Sequence, residues 1–328
     1  MPESLTSPSP HEAPARTVLV TGATGLIGRS LVDRLVRSGA AVIALSRDAR
    51  RAAVLIGNPG VRCIERLSEL PADSAIDAVV HLAGARVLDR RWTQKRWELL
   101  VRSRADLAAE LVGLARRMTK PPRVLVSASA VSYYGASGLA IRAEADLPVG
   151  DDEASRLCVR VEAAATRARE LGVRVVPLRL GIVLARDDGA LPPLATAARF
   201  GLGAELGSGR QPVPWIHVDD AVRLILFAVD NDAVAGPLNA VAPETPSQRD
   251  FTRAVAERFG RRVRLRVPAF ALRLLLGARA ALLLEGQVVV PRAALEAGFA
   301  FVHPTLASAL QDLLPGRPPS AGPRVPGS

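Results

Sequence analysis

The stretch Val20-Thr21-Gly22-Ala23-Thr24-Gly25-Leu26-Ile27-Gly28 decides the fold. It follows a short apolar β run, Thr17–Val20. It opens a segment with helical spacing, Leu26–Ser38, in which Leu26, Ile27, Leu31 and Leu35 share one face. A strand that turns through glycines into a helix is built to hold a pyrophosphate. Gly22 allows the tight turn, Gly25 lets backbone approach the ligand, and Gly28 lets helix and strand pack closely. The helix start adds N–H donors and the positive end of its dipole. Thr21, Gly22, Thr24, Gly25, Leu26, Ile27 and Gly28 are therefore candidate cofactor contacts. The competing reading is a tight turn with no ligand.

Outward from this loop, apolar strands alternate with helical patterns. Ala40–Leu45 and Asp77–Ala83 read as strands, the second nearly all apolar, as when helices cover both faces. Thr93–Met118 reads as one long helix with Thr93 as its cap. Arg123–Ser127 is a strand, Asp151–Leu171 a helix and Val173–Leu184 a strand. The alternation predicts an α/β Rossmann-type doubly wound parallel sheet. After about residue 186 the rhythm changes. Gly201–Pro214 is a glycine-rich loop, and Asp219 or Asp220 can cap a helix running to Asp230. Ser247–Phe259 and Ala269–Leu284 read as helices, and residues 291–314 as two short ones. This half is expected to form a smaller, mostly helical C-terminal lobe over the sheet's carboxyl edge. The expected division is a disordered N-terminus (1–16), a dinucleotide-binding domain (17–245), a small C-terminal domain (246–314) and a disordered tail (315–328).

Composition narrows the function classes. Of 328 residues 49% are apolar, enough for a packed interior and too many for a disordered chain. The longest apolar stretch, Ala269–Leu284, carries Arg273 and Arg279 and falls short of the roughly 20 apolar residues of a membrane span. The N-terminus has no apolar core of a signal peptide. Two distant cysteines, Cys63 and Cys158, give no disulfide framework and suggest a reducing, cytoplasmic setting. Four scattered histidines lack ligand spacing, so no metal is expected. The net charge is +11, and Lys95 and Lys120 are the only lysines among 43 basic residues. Only 4% of residues are aromatic, so bases would find few stacking platforms and specific nucleic-acid binding is not expected. A nucleic-acid binder would rest on charge alone.

The adenosine ribose should be met at the tip of the second strand, roughly 20 residues on. That site reads Ala44-Leu45-Ser46-Arg47-Asp48. Ser46 and Arg47 suit the 2′-phosphate of NADP, with Arg50 or Arg51 as help. Asp48, which would favour NAD, falls one step past the strand. Otherwise Arg47 is a solvated surface arginine.

The three-and-three glycine spacing resembles the short-chain dehydrogenase/reductase superfamily, particularly its extended branch of sugar epimerases and dehydratases. The resemblance implies a Tyr-x-x-x-Lys pair plus a serine or threonine, the lysine easing proton transfer through the phenol. No such pair occurs. The two tyrosines, Tyr133 and Tyr134, have Ser137 and Gly138 four residues on. By the helix pattern leading to Glu162, the expected tyrosine and lysine fall at Ala154 and Cys158. Ser127–Gly135 resembles the Ser-Ser-x-x-x-Tyr-Gly segment of extended members. The serine of that segment falls at Ala130, with Ser129 one residue earlier. Ser129 and Tyr133 are the candidate replacement catalytic residues; the other reading makes both tyrosines packing residues.

Several segments together resemble one atypical subfamily, the epimerase-family proteins with a small C-terminal domain of unknown function, sometimes labelled cell-division-inhibitor-like. They are His81-Leu82-Ala83-Gly84-Ala85, Arg91-Trp92-Thr93, Ser103-Arg104 and residues 127–135. Further on come Leu206–Gln211, Trp215–Asp220, Gly236–Asn239 with Ala242-Pro243, Leu295–Phe299 and His303–Leu306. Ser132 departs from the glycine usual there. The resemblance places Leu82, Ala83 and Gly84 beside the cofactor riboses. Arg91, Trp92, Arg104 and Arg210 could face an anionic substrate, with Trp92 and Arg210 singled out as substrate-binding candidates. Val213-Pro214 stands where sugar-nucleotide members carry Arg-Asp, which argues against a nucleotide-sugar. His217 reads as structural, Asp219 as a helix cap, Trp215 as core and Cys158 as a small buried apolar residue. These expectations amount to an NADP(H)-dependent oxidoreductase or epimerase-like enzyme acting on a small carbonyl or hydroxyl substrate. The alternative is a non-catalytic NADP-binding sensor that regulates a protein partner.

Overall fold

The computed structural model describes residues 16–316, Leu88 and Asp151 excepted. Nearly all of the expected disordered ends, and the expected helix start at Asp151, lie outside the described residues. The first half runs β1 (Thr17–Thr21), α1 (Leu26–Arg37), β2 (Ala41–Leu45), α2 (Ala49–Ile56), β3 (Val61–Ile64), β4 (Ala78–His81), α3 (Gln94–Val101), α4 (Leu107–Arg117) and β5 (Val124–Ala130). It continues with β6 (Gly138–Arg142), α5 (Glu153–Thr166), β7 (Arg174–Leu180) and β8 (Ile182–Leu184). The second half runs α6 (Leu191–Arg199), β9 (Ala204–Leu206), β10 (Trp215–His217), α7 (Val218–Asp230), β11 (Leu238–Ala240), α8 (Gln248–Glu257) and β12 (Leu265–Val267). Last come α9 (Ala269–Leu276), α10 (Ala281–Leu284), β13 (Gln287–Val289), α11 (Arg292–Glu296) and α12 (Leu306–Leu313).

Seven strands form one sheet in the order β11-β7-β5-β4-β1-β2-β3, and every pairing is parallel. The order reverses between β1 and β4. That switch point opens a crevice at the carboxyl ends of the two strands, where doubly wound sheets bind ligands. Both faces of the sheet are covered. One packs on α1, α7 and α11 through Leu31, Leu35, Leu224, Ile225 and Ala294. The other packs on α4 and α5 through Leu111, Leu114 and Ala165. A separate core joins α6, α8 and α12 around Trp215.

Several boundaries differ from expectation, each for a local reason. The helix expected over Thr93–Met118 is interrupted by a π turn, Arg102–Asp106, between α3 and α4. The wider turn brings Ser103 and Arg104 onto Ala85, where Ser103 Oγ accepts from the Ala85 amide at 3.0 Å. Thr93 does cap, accepting from the Arg96 N–H. The strand expected over Val173–Leu184 breaks at Gly181, where a Cβ would press on the Pro214 carbonyl. Beyond it, β8 pairs with β10 outside the central sheet. The helix expected over Ala269–Leu284 breaks at Gly277, whose φ is +60°. Residue 186 is no boundary of the sheet, because α7 and β11 return to it on an apolar face. The lobe also takes strands from both halves: β6 pairs with β13, and β9 with β12. Neither Asp219 nor Asp220 caps α7. His217 does, its Nδ1 accepting from the Asp219 N–H at 3.0 Å. Asp219 pairs instead with Arg34, and buried Asp220 accepts from the Val302 and His303 amides. No helix among the described residues is long and apolar enough to cross a membrane.

Candidate cofactor site and its surroundings

The loop between β1 and α1 is as tight as its glycines suggest. Gly22 sits at φ +74°, and a Cβ there would lie 2.8 Å from the Leu82 and Ala83 backbones. A Cβ at Gly28 would strike the Gly22 carbonyl, so the helix can cross this close to the turn only without a side chain. Gly25 is exposed and starts α1 in an extended conformation with no side-chain cap. The first-turn amides of Leu26, Ile27 and Gly28 have no carbonyl one turn back, as at any helix start. Thr24 is half-buried in the same turn. The result is a bare backbone cradle with the dipole's positive end beneath it, which fits a pyrophosphate.

A hydrogen-bond chain locks this cradle to β4. The Ala83 N–H donates to Thr21 Oγ1 at 3.2 Å, and Thr21 Oγ1 lies 2.7 Å from His81 Nδ1. His81 Nε2 lies 3.1 Å from the Arg104 carbonyl, which can only accept. Nε2 therefore carries the hydrogen and Nδ1 accepts from Thr21. Burial pulls the His81 pKa down to about 4, so the ring is neutral. Arg104 then lays its guanidinium against Gly84, where a Cβ would come within 2.6 Å of Cζ. Its Nη2 donates to the Ala85 carbonyl at 2.8 Å. Burial lowers the Arg104 pKa, yet the guanidinium stays a cation beside Gly84.

At the tip of β2 the Ser46 N–H pairs with the Ile64 carbonyl, and Arg47 is exposed. The nearby acids are occupied. Asp48 caps α2 by accepting from the Arg51 N–H at 2.8 Å, and Glu65 accepts from the Ala49 N–H. The tip thus presents Arg47, while the Ser46 hydroxyl donates to the Asp48 carbonyl at 3.2 Å and the Asp48 carboxylate serves the helix.

The candidate catalytic residues lie farther along the sheet. Ser129 is on β5, and its hydroxyl donates to Glu162 Oε1 at 2.8 Å. Glu162 is held in turn by Arg179, through Nε at 3.0 Å and Nη2 at 2.9 Å. Arg179 Nη1 donates to Tyr134 Oη, which donates to Asn239 Oδ1. The Arg179 guanidinium also lies 3.5 Å above the Tyr133 ring. Tyr133 lines a groove of about 430 Å³ between α5 and β7, with Val159, Pro177 and Pro237. One strand, β4, separates β5 from β1 and its loop, and Tyr133 follows β5 directly. The structure thus joins Ser129 and Tyr133 to one network through Glu162 and Arg179. Cys158, at the expected lysine position, has its thiol beside Ser129 and the Ala130 backbone, and burial pushes its pKa up to about 11. Glu162 and Arg179 carry this network, and only the pairing of a helix glutamate with a strand arginine could have signalled it.

Trp92 is half-buried beside Trp97, and its indole N–H donates to the Val87 carbonyl at 2.7 Å. Arg210 is exposed on the turn after β9. No described hydrogen bond or ring contact joins either of them to Ser129 or Tyr133. One histidine cluster has its ligand atoms within metal-binding reach, namely His217, His303 and Asp312. Its chemistry does not suit an ion. His217 Nδ1 is the acceptor for α7, so Nε2 carries the hydrogen and faces Asp312 Oδ2 at 3.3 Å. A metal at Nε2 would displace that hydrogen, whereas ligating imidazoles keep an N–H on the far nitrogen. The two rings stack at 3.9 Å, and the cluster clasps α7 to α12.

Comparison with known proteins agrees with this geometry. Residues 18–240 match the model of the NAD dependent epimerase/dehydratase family, and residues 267–313 match a domain of unknown function, DUF1731. The epimerase family protein SDR39U1 of Mus musculus is 36% identical over 303 residues, 90% of this chain and 99% of that protein. The epimerase family protein YfhF of Bacillus subtilis is 33% identical over 304 residues, 92% of this chain and 98% of that protein. The crystal structure of human SDR39U1 with NADPH superposes with a TM-score of 0.82 at 34% identity, covering 90% of this chain and 98% of that one. The chain belongs to the NAD dependent epimerase/dehydratase family, in the branch of epimerase family proteins that carry the DUF1731 region.

Proposed function

We propose that this chain binds NADP(H) and uses it in an oxidoreductase or epimerase-like reaction on a small carbonyl or hydroxyl compound. The bare cradle of Gly22, Gly25 and Gly28, pressed against Leu82 and Ala83, carries the reading. The related human protein has been crystallised with NADPH, which supports the choice of cofactor. In this reading Thr21, Gly22, Thr24, Gly25, Leu26, Ile27 and Gly28 hold the pyrophosphate. Ser46 and Arg47 hold the 2′-phosphate, and Leu82, Ala83 and Gly84 line the riboses. Bound nicotinamide supplies a hydride donor or acceptor.

The protein's own groups then orient the substrate. Ser129 has already given its hydrogen to Glu162, so its lone pairs are left to accept from a substrate hydroxyl. Arg104 keeps a buried positive charge beside Gly84, near the position that lacks the lysine. Trp92 and Arg210 are proposed to meet the substrate from the loop side and the lobe side. Tyr133 is the proposed proton-passing phenol. We read residues 17–245 as the cofactor domain and 246–314 as the lobe. Free Cys63 and Cys158 fit a reducing compartment such as the cytoplasm.

A second reading has its own support. Ala130, Ala154 and Cys158 occupy the positions of the superfamily's serine, tyrosine and lysine, and Cys158 is a buried neutral thiol. A protein that binds NADP without turnover, and signals its state to a protein partner, needs none of the three. Titration of NADPH and NADH, followed by nicotinamide fluorescence, tests the shared premise. Much tighter NADPH binding is expected, and equal or absent binding overturns it. A carbonyl and sugar screen with Tyr133→Phe as control then separates the readings. Oxidation of NADPH that Tyr133→Phe slows favours the enzyme, and no oxidation by any compound favours the sensor.

A further inference from the structure

We propose that Asp188 straps two loops together across the dinucleotide crevice, so that the Arg86–Asp188 bridge gates cofactor exchange. The proposal rests on the NADP(H) site above. Asp188 lies in the turn after β8. Its Oδ1 accepts from Arg86 Nη2 at 2.8 Å and from the Gly189 N–H at 2.7 Å. Its Oδ2 lies 3.8 Å from Arg29 Nη2. Three parts of the rim thus converge on one carboxylate. Arg86 belongs to the loop that leaves β4 past Leu82 and Ala83, whose backbones press on Gly22. Arg29 is one helical turn from Gly25, its N–H donating to the Gly25 carbonyl. Gly189, at φ +82°, sits so close to Leu26 that a Cβ would be 3.0 Å from Leu26 Cδ2. The turn therefore roofs the first residue of α1, where the pyrophosphate cradle begins.

The bridge is placed to open and close. The side chain of Asp188 is 22% exposed and that of Arg86 is 72% exposed. An ion pair in such a wet setting is weak and screened by salt, which suits a latch better than a permanent tie. A pyrophosphate in the cradle would lie behind it, and would have to pass it to leave.

The test is a chase experiment. Protein loaded with NADPH is mixed with excess NADP+, and the loss of bound-nicotinamide fluorescence gives the release rate. Asp188→Asn and Arg86→Gln are each expected to speed release by about two- to fivefold at low salt, the scale of one exposed ion pair. The double variant should release no faster than Asp188→Asn alone, because that change already breaks the Arg86 bridge. Added salt should speed release from the wild type by a larger factor than from Asp188→Asn, which keeps only the screening of the phosphate contacts themselves. Thermal unfolding of each variant checks that the fold is intact. If Asp188 merely occupies a phosphate position, Asp188→Asn will instead tighten binding and slow release, and the strap is wrong. Unchanged release, or additive effects in the double variant, also overturns it while leaving the NADP(H) site standing. Absence of NADPH binding by the wild type overturns both together.

Discussion

The Thr21 hydroxyl lies 2.7 Å from His81 Nδ1, and this bond ties the phosphate loop on β1 to the end of the neighbouring strand. Its consequence is a pH-dependent stability. His81 is neutral in the fold, with a pKa of about 4, against 6.5 for an exposed histidine. Below pH 6.5 the unfolded chain takes up a proton that the fold cannot. The contribution is therefore complete above about pH 6.5 and is lost as pH falls toward 4, by about 3 kcal/mol in all. Burial and stacked His303 lower the His217 pKa as well, so His217 acts in the same direction. Urea unfolding between pH 7.5 and 4.5 should show the decline, and His81→Gln should flatten it. An equal slope in the variant would remove His81 from this role.

The proposed site assigns the choice of nicotinamide to Arg47, which a charge reversal tests. A charge-assisted hydrogen bond to the 2′-phosphate contributes about 1.5–3 kcal/mol, or roughly ten- to hundredfold in affinity. Arg47→Asp removes that bond and sets a carboxylate against the phosphate. Titrations of the variant should show NADH binding at least as tightly as NADPH. A ratio like that of the wild type would make Arg47 an ordinary surface residue.

How much of this was legible depended on the range of the signal. The phosphate loop was readable because its glycines are close together and each answers a local steric need. The apolar runs of β1, β2, β4, β5 and β7 were readable because both faces of the sheet are covered. The strands β8 to β13 have three residues each, too few to show a period of two. The π turn at Arg102–Asp106 keeps the helical apolar pattern on both sides, so nothing in the spacing revealed that Arg104 would lie on Gly84. Ser129 was legible as a hydroxyl at a strand end. Its partner Glu162 was not, since the bond spans 33 residues and joins a strand to a helix.

Gly84 is where that hidden placement can be checked. A methyl there would overlap the Arg104 guanidinium, which is the end of a long side chain and can swing away. Gly84→Ala is therefore expected to keep the fold, lose the Arg104 bond to the Ala85 carbonyl and weaken NADPH. Gly22→Ala is a harsher change, because the methyl meets rigid backbone at a positive φ. It should cost several times more stability. Melting curves and NADPH titrations of the two variants should differ in this sense, and equal losses would contradict the geometry.

The last prediction concerns Glu162 and Arg179, whose side chains are 10% and 2% exposed. Burial opposes charge on Arg179, but the paired Glu162 outweighs it and raises the pKa of the guanidinium. Removing one partner leaves an uncompensated buried charge, which costs about 3–5 kcal/mol. Glu162→Gln should therefore be strongly destabilising although it preserves shape and one hydrogen-bond acceptor. Replacing both residues by methionine removes both charges and should recover much of the loss. The double variant also frees Ser129 and Tyr133 from the network. If it folds stably and still binds NADPH while any NADPH-oxidising activity disappears, the network positions the substrate. If activity persists, the network serves stability alone, and Ser129 and Tyr133 need no help from Glu162 and Arg179.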